Sequence, residues 1–354
     1  MPNDTHFHRR RCLGMLAATP LAAACSPVGT SLSRSPAATA DAQVAMLLPL
    51  SGKRAALGQQ MAKAVWLVED FSGSSNGKTT VLDAGETPQA AAQAARDAVA
   101  RGANVIVGPV FRNQTPAVVE AAGSIPVMSL SNDTTLAATG AWVFGVTPAQ
   151  SVDTVLRYAK GTGADRIAVL ETGGALGRRA SQAFQSGARQ ARVTALPAIP
   201  ATTRPEDIRT ALQQAGGGSM PDIVYVPETG KTALGQAEAA VRTGVTTIGS
   251  LQWSGLDQAQ LGRLDKACFT GPDPIRFDRL SSLFRAQLEE EMGVIAALAV
   301  DAVGLAQSVG GGQALNARKS YPGLLGDTRF DRDKTCKRTL AILRIDDGAV
   351  RPVL

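Results

Sequence analysis

From Val44 onward, short apolar runs alternate with segments of helical period, and this alternation limits the fold more than any other feature of the chain. Val44-Ala-Met-Leu-Leu-Pro-Leu50 has no polar alternation and suits a strand buried on both faces. A helix-period segment follows from Leu57 to Phe71, then a strand from Thr79 to Leu82. Thr87-Pro88 reads as an N-cap with proline at the first helical position, opening an Ala-rich helix to Arg101 that Gly102 stops. Val105–Val107 is a third strand, Thr115–Ala122 a helix, Pro126–Leu130 a fourth strand and Trp142–Phe144 a fifth. A second set begins with a helix over Gln150–Lys160. Strands are expected at Arg166–Leu170, Arg192–Leu196, Asp222–Val226 and Thr247–Leu251, with helices between them. Repeated β/α alternation predicts an α/β protein with mostly parallel sheets covered by helices on both faces. Residues 278–309 read as helical, and Arg338–Val353 as a strand pair turning at Asp347-Gly348.

Composition narrows the chemistry. The chain has four cysteines and two histidines, and His6, His8, Cys12 and Cys25 all fall near its start. That start reads as a removable leader. Arg9-Arg10-Arg11 forms a positive region, and the apolar stretch Cys12–Ala24 is too short to span a bilayer. It ends Leu21-Ala-Ala-Ala-Cys25, which resembles a bacterial lipobox, with Cys25 lipidated and Ser26 favouring the outer membrane. Ordinary cleavage after Ala24 is the alternative. Residues 1–24 are then a signal peptide, and 25–42, rich in Ser, Pro, Thr and Ala, a flexible tether.

Without the leader no histidine remains. That excludes Ser–His–Asp and Cys–His nucleophiles, histidine metal sites and histidine bases, so no enzyme activity, cofactor or metal is expected. The leader holds three arginines and one aspartate, which lowers the net charge from +6 to +4. So small a surplus, spread along the chain, is no nucleic-acid footprint. No later stretch is long and apolar enough for a transmembrane helix, so membrane attachment rests on the lipid anchor alone. Gly73-Ser-Ser-Asn-Gly77-Lys78 mimics a phosphate loop, but it has too few residues between its glycines and precedes a strand instead of following one.

In open parallel sheets, ligands sit beyond the carboxyl ends of the strands. Those ends carry Ser51, Gly52, Phe111, Arg112, Ser129, Ser131, Asn132, Thr172, Glu228 and Trp253. Each has a plain reading as well: Ser51, Asn132 and Thr172 as caps or turn formers, Arg112 and Glu228 as solvated charges, Trp253 as packing. Their shared location makes them candidates for a cleft that takes a small polar ligand, with free helix-start amides suited to an anion. Cys268 and Cys336 are the thiols left in an oxidising envelope. An even pair there favours a disulfide; the alternative is two unpaired thiols.

Val44–Gly52, Ala56–Met61, Val105-Ile-Val-Gly-Pro109, Ile125–Ser129, Val143-Phe-Gly-Val-Thr-Pro148 and Arg166–Leu170 together resemble type I periplasmic binding proteins of the leucine-binding kind. Within that superfamily, Leu-Leu-Pro-Leu-Ser-Gly, Phe-Gly-Val-Thr-Pro and Gly271-Pro-Asp-Pro274 are most similar to the lipoprotein branch of penicillin-binding protein activators (LpoA/YraM type). The resemblance implies two lobes joined by three crossings near Thr147, Pro272 and Phe330. Lobe 1 is then 43–146 plus 274–330, and lobe 2 is 147–273 plus 331–354, with both remaining cysteines in lobe 2.

It also implies that a ligand carboxylate would be held by Ser51, the Val110–Arg112 backbone and Ser129–Ser131, and an amino group by Glu228. Ser129-Leu-Ser-Asn-Asp133 departs from the usual amino-acid-binding pattern, and Phe111-Arg112 places bulk and charge where small residues are usual. The implied function is an activator-like envelope lipoprotein partnering a penicillin-binding protein in peptidoglycan synthesis. The alternative is an amino-acid receptor for an ABC permease.

Overall fold

The computed structural model describes residues 43–72, 79–171, 173–308, 315 and 320–353. The leader, Cys25, the tether, Thr172 and the Gly73–Lys78 segment lie outside them. Five strands form the first sheet: β1 (Val44–Leu48), β2 (Thr80–Asp83), β3 (Val105–Val107), β4 (Val127–Ser129) and β5 (Trp142–Val143). They lie in the order β2-β1-β3-β4-β5, every pair parallel. The connecting helices are α1 (Ala55–Ser72), α2 (Pro88–Ala100) and α3 (Thr115–Ala122). Thr87 caps α2 by accepting from the Ala90 amide, and Ala91, Ala94, Ala95 and Ala98 recur at helical spacing as its buried stripe.

The chain then enters a second, eight-stranded sheet. Its elements are α4 (Pro148–Thr162), β6 (Arg166–Glu171), α5 (Ala175–Ala191), β7 (Thr194–Ala195), β8 (Ile199–Pro200), α6 (Ile208–Ala215), β9 (Ile223–Val226), α7 (Lys231–Arg242), β10 (Thr246–Gly249), α8 (Gln258–Gly262) and β11 (Cys268–Gly271). Next, α9 (Pro274–Leu288) and α10 (Val294–Ser308) return to the first sheet. Leu280, Phe284 and the buried face of α10 share one core with Val44, Met46 and Leu48. α10 is apolar almost all round, as expected of a helix packed between a sheet and α1.

A three-stranded antiparallel sheet follows, with β12 (Tyr321–Gly323), β13 (Gly326–Phe330) and β14 (Cys336–Thr339). The chain ends with β15 (Ala341–Asp346), antiparallel to β11, and β16 (Ala349–Pro352). Asp347 and Gly348 both have positive φ at the β15–β16 turn, the geometry a two-residue Asp-Gly hairpin requires.

The small sheet corrects the third crossing. β14 pairs with β13, and Thr335 bridges to Val143 at the edge of the first sheet. Phe330 packs edge-on against Trp142, with ring centroids 5.0 Å apart. The chain therefore stays with the first core through Thr339 and passes to the second sheet at Leu340, not near Phe330. The sequence merged Arg338 and Thr339 of β14 into the terminal strand pair and marked neither β12 nor β13, because β13 alternates only weakly and β14 is short and charged.

This placement also removes the expected disulfide. Cys336 lies in the first sheet's core beside Phe330, whereas Cys268 lies in a core of the second sheet with Tyr225. Both are buried free thiols, and burial pushes each pKa up to about 11, so both stay protonated at neutral pH.

Asp301 ties the small sheet to α10. Its two carboxylate oxygens accept from the Leu324 and Leu325 amides, at 2.6 and 3.0 Å, in the β12–β13 turn. Gly323 permits this approach, because a Cβ there would lie 2.6 Å from Asp301 Oδ2. Among the described residues no helix is long and apolar enough to cross a membrane.

Candidate functional site

A cleft of about 1280 Å³ lies between the two sheets. One wall comes from the β3 and β4 ends, with Val110, Phe111, Arg112, Leu130, Ser131 and Asn132. The other comes from Ser151, Leu176, Tyr225, Pro227, Thr229 and the Ser250–Asp257 loop. Val146–Pro148 forms the back where the chain crosses, and Met292–Ile295 with Arg285 and Glu291 form a rim. A volume above the usual ligand-pocket range of ~300–1,000 Å³ leaves room for more than a free amino acid.

Phe111, Arg112, Ser131 and Asn132 do line this cleft. Arg54 lies over the Phe111 ring, 5.8 Å from its centroid, which holds that ring at the mouth. Ser129 is fully buried and does not reach the cleft. Its hydroxyl is 3.0 Å from that of Thr115 and accepts from the Ser131 amide, so it shapes the loop from behind.

Ser51 and Gly52 are not part of the lining. The amides that follow β1 are already used by the chain's own carboxylates. Asp83 Oδ1 accepts from Leu50 at 2.9 Å and from Gly85 at 2.8 Å, and Glu86 Oε1 accepts from Lys53 at 2.6 Å. Gly52 has φ +78°, and a Cβ there would lie 2.6 Å from the Glu86 carboxyl carbon. A glycine is thus needed to bring this loop onto Glu86. Burial works against the Asp83 carboxylate, but hydrogen bonds from Ser51, Gly85 and Leu50 outweigh it and hold its pKa below the ordinary value.

Glu228 is also committed. Its Oε1 accepts from the Gly177 amide at 2.9 Å, in the first turn of α5, where a negative charge complements the helix dipole. It lies outside the cleft lining. Trp253 is fully buried in the core beneath β9 and β10, and its indole N–H donates to the Glu228 carbonyl at 3.3 Å. It packs; it does not face a ligand.

Two features are added by the structure: Tyr225 in the lining, and beside the lining an ion pair between Asp133, which the sequence placed at a strand end, and Arg179, which it did not single out. Tyr225 is a buried strand residue whose ring forms part of the cleft floor, and burial raises its pKa. Nothing in the uniform apolar run of β9 distinguished it. Asp133 and Arg179 join the two sides. Buried Asp133 accepts from the Thr135 amide and hydroxyl, and it pairs with Arg112 Nε at 3.3 Å and with Arg179 Nη2 at 3.2 Å. Arg112 and Asp133 belong to the first sheet's loops, while Arg179 sits in α5 of the second. Burial opposes the Asp133 charge, yet the Thr135 hydrogen bonds and the Arg179 and Arg112 charges hold its pKa below the ordinary value. Arg179 falls at the start of the helix after a strand end, the one position-based signal that could have found it.

At the rim, Arg285 and Glu291 form a two-pronged pair, 2.6 Å on each side. Deeper in, Gln150 Nε2 donates to the Cys336 carbonyl at 2.9 Å, and the Ser151 hydroxyl lies 2.9 Å from that of Thr270. The polar groups at the crossings are largely paired among themselves. The lining supplies apolar contact with a few hydroxyl and amide groups.

Residues 41–273 match the family described as periplasmic binding protein. No protein of curated function matches the sequence. A protein assigned as a branched-chain amino acid ABC transporter from Rhodospirillum rubrum superimposes with a TM-score of 0.75 at 20% identity, covering 88% of this chain and 100% of that one. The C-domain of LpoA (YraM) from Haemophilus influenzae, a regulator of PBP1A, gives 0.71 at 18% identity, with 88% and 100% covered. Against full-length LpoA from the same organism the chain spans 59% of that protein. LivJ from Streptococcus pneumoniae, in complex with isoleucine, gives 0.58 at 19% identity, with 88% and 99% covered.

Proposed function

Because this chain belongs to the periplasmic binding protein family, we propose that it is a non-catalytic envelope protein that regulates a partner, in the manner of a penicillin-binding protein activator in peptidoglycan synthesis. The observation that carries this reading is the self-satisfied loop after β1. The Leu50 and Lys53 amides in that loop are bonded to Asp83 and Glu86, and Glu228, which would meet an amino group, caps α5. A zwitterion entering the cleft would lose water without recovering these partners, at about 1–3 kcal/mol for each polar group left unpaired. The likeness to the LpoA C-domain supports the same reading. Anchoring through Cys25, with Ser26 directing the protein to the outer membrane, is the location this role calls for.

A second reading has its own support. Asn132 and Thr229 face a roomy cleft from opposite walls, which suits a receptor delivering an amino acid or amide to an ABC permease. Thermal shift with a panel of free amino acids separates the two. The activator reading expects no shift with any of them and recovery of a bifunctional penicillin-binding protein with the tagged protein from solubilised membranes. A rise of several degrees with one free amino acid would sink it in favour of transport.

A further inference from the structure

A second cavity, of about 600 Å³, shares no lining residue with the cleft. α4 contributes Asp153, Leu156, Arg157 and Lys160, which recur at helical spacing along one face. The small sheet contributes Arg329 from β13 with Lys337 and Arg338 from β14. Five cations therefore meet two carboxylates, Asp153 and Asp327. The carboxylates are poorly placed to neutralise them. Asp327 is spent on Arg276 at 2.9 Å, and Asp153 reaches Lys337 only at 3.8 Å. Arg157 donates to the Asp153 carbonyl and the Thr154 hydroxyl, and among the described residues neither Arg157 nor Lys160 has a carboxylate within ion-pair distance.

Two further features separate this cavity from an ordinary solvated basic surface. First, the β13–β14 register sets Arg329 directly opposite Lys337. Like charges facing each other across an antiparallel pair cost stability, and the carboxylates that reach them, Asp331 to Arg329 and Asp153 to Lys337, do so only at 3.8 Å each. Second, Arg338 is 4% exposed, lies over the Phe144 ring at 4.8 Å and feels the Asp301 charge, but among the described residues it has no carboxylate within ion-pair distance. Its guanidinium donates to Gln150 Oε1 at 3.0 Å and to the Phe144 carbonyl at 3.3 Å, but its Nε has no partner. A buried guanidinium with an unused donor, at the wall of a cavity ringed by four other cations, is an unfinished anion site.

We propose that this cavity binds a small molecule bearing a phosphate group, held by Arg157, Lys160, Arg329 and Lys337. Phosphate fits better than carboxylate because one compact group must offset two facing cations. A phosphate monoester carries about −1.5 to −2 near pH 7 with three acceptor oxygens, where a carboxylate carries a single charge. The walls come from α4 and α5 on one side and from β13 and β14 on the other. Occupancy would therefore tie the two sheets together beside the crossing at Leu340, away from the cleft. This site is independent of whether the cleft serves regulation or transport.

The test is calorimetric titration of the purified protein with inorganic pyrophosphate at low ionic strength, with acetate and chloride at matched ionic strength as controls. Saturable binding is expected for pyrophosphate and not for acetate or chloride. A Lys160→Gln, Arg329→Gln double variant changes two exposed side chains and is expected to keep its melting curve while binding at least about tenfold more weakly. Arg112→Gln, in the cleft, is expected to bind like wild type. No saturable binding to wild type below about 10 mM overturns the proposal. So does equal affinity in the double variant, an equal response to acetate, or a loss of binding in Arg112→Gln alone.

Discussion

Asp301 gives the sharpest test of how this structure is held together. It is 2% exposed in α10 and is bonded to the Leu324 and Leu325 amides. Burial pushes its pKa up to about 6, against the Arg338 charge and those amide bonds, which pull it down. The folded value thus lies about two pH units above the ordinary 3.8, worth roughly 3 kcal/mol at ~1.4 kcal/mol per unit. The sign follows from proton counting. The folded state holds this proton more tightly than the unfolded chain. Asp301 therefore adds stability that is fully present below about pH 4 and is lost as pH rises through 6. Between pH 7 and pH 5 its share is roughly 1 kcal/mol.

The perturbation is Asp301→Asn, and the assay is urea unfolding of wild type and variant at pH 5, 6 and 7. The variant is less stable throughout, because one amide of the β12–β13 turn loses its acceptor, at about 1–2 kcal/mol. The informative quantity is the gap between the two proteins. It should be wider by roughly 1 kcal/mol at pH 5 than at pH 7, since only wild type gains from protonation. A gap that stays constant, or narrows toward pH 5, refutes the raised pKa and the burial argument behind it.

Three further outcomes are expected. Arg179→Ala removes the second-sheet partner of Asp133 while leaving Thr135 and Arg112 in place, so unfolding stability should fall by about 1 kcal/mol or less. Small-angle scattering should nevertheless show a larger radius of gyration as the sides part, and an unchanged curve would count against Asp133 as a latch. Trp253→Ala should cost about 3–5 kcal/mol in urea unfolding, the scale for emptying a fully buried aromatic site; a loss below about 1 kcal/mol would return Trp253 to the ligand surface. Alkylation of the unfolded, unreduced protein followed by mass spectrometry should modify both Cys268 and Cys336, and a linked peptide pair would contradict their separation into two cores.

The parallel β/α framework was legible because its signals are local. Val44–Leu48 and Arg166–Glu171 are apolar runs of strand length, and Thr87-Pro88 is a cap with its mechanism written in two residues. The Asp347-Gly348 hairpin was readable for the same reason. The β12–β13–β14 sheet was not, since Lys337 and Arg338 carry no strand pattern and their place depends on the distant edge at Val143. The same gap moved the third crossing and put Cys336 in the wrong lobe. At the site, Phe111, Arg112, Ser131 and Asn132 sit at strand ends and line the cleft, whereas Ser51, Gly52, Glu228 and Trp253, also placed by strand-end position, do not. A strand-end location does not reveal whether a polar group already has a partner or whether a ring is covered.

That distinction bears on function more than the fold does. A two-sheet clamp closes on a ligand only if its unpaired donors and acceptors prefer the ligand to water. Here Asp83 and Glu86 occupy the loop after β1, Glu228 occupies the start of α5, and Asp133 with Arg112 and Arg179 spans the gap. The two sides of the cleft are therefore held in contact by the chain's own side chains. A carboxylate that competed with Asp133 for Arg112 or Arg179 would loosen that contact.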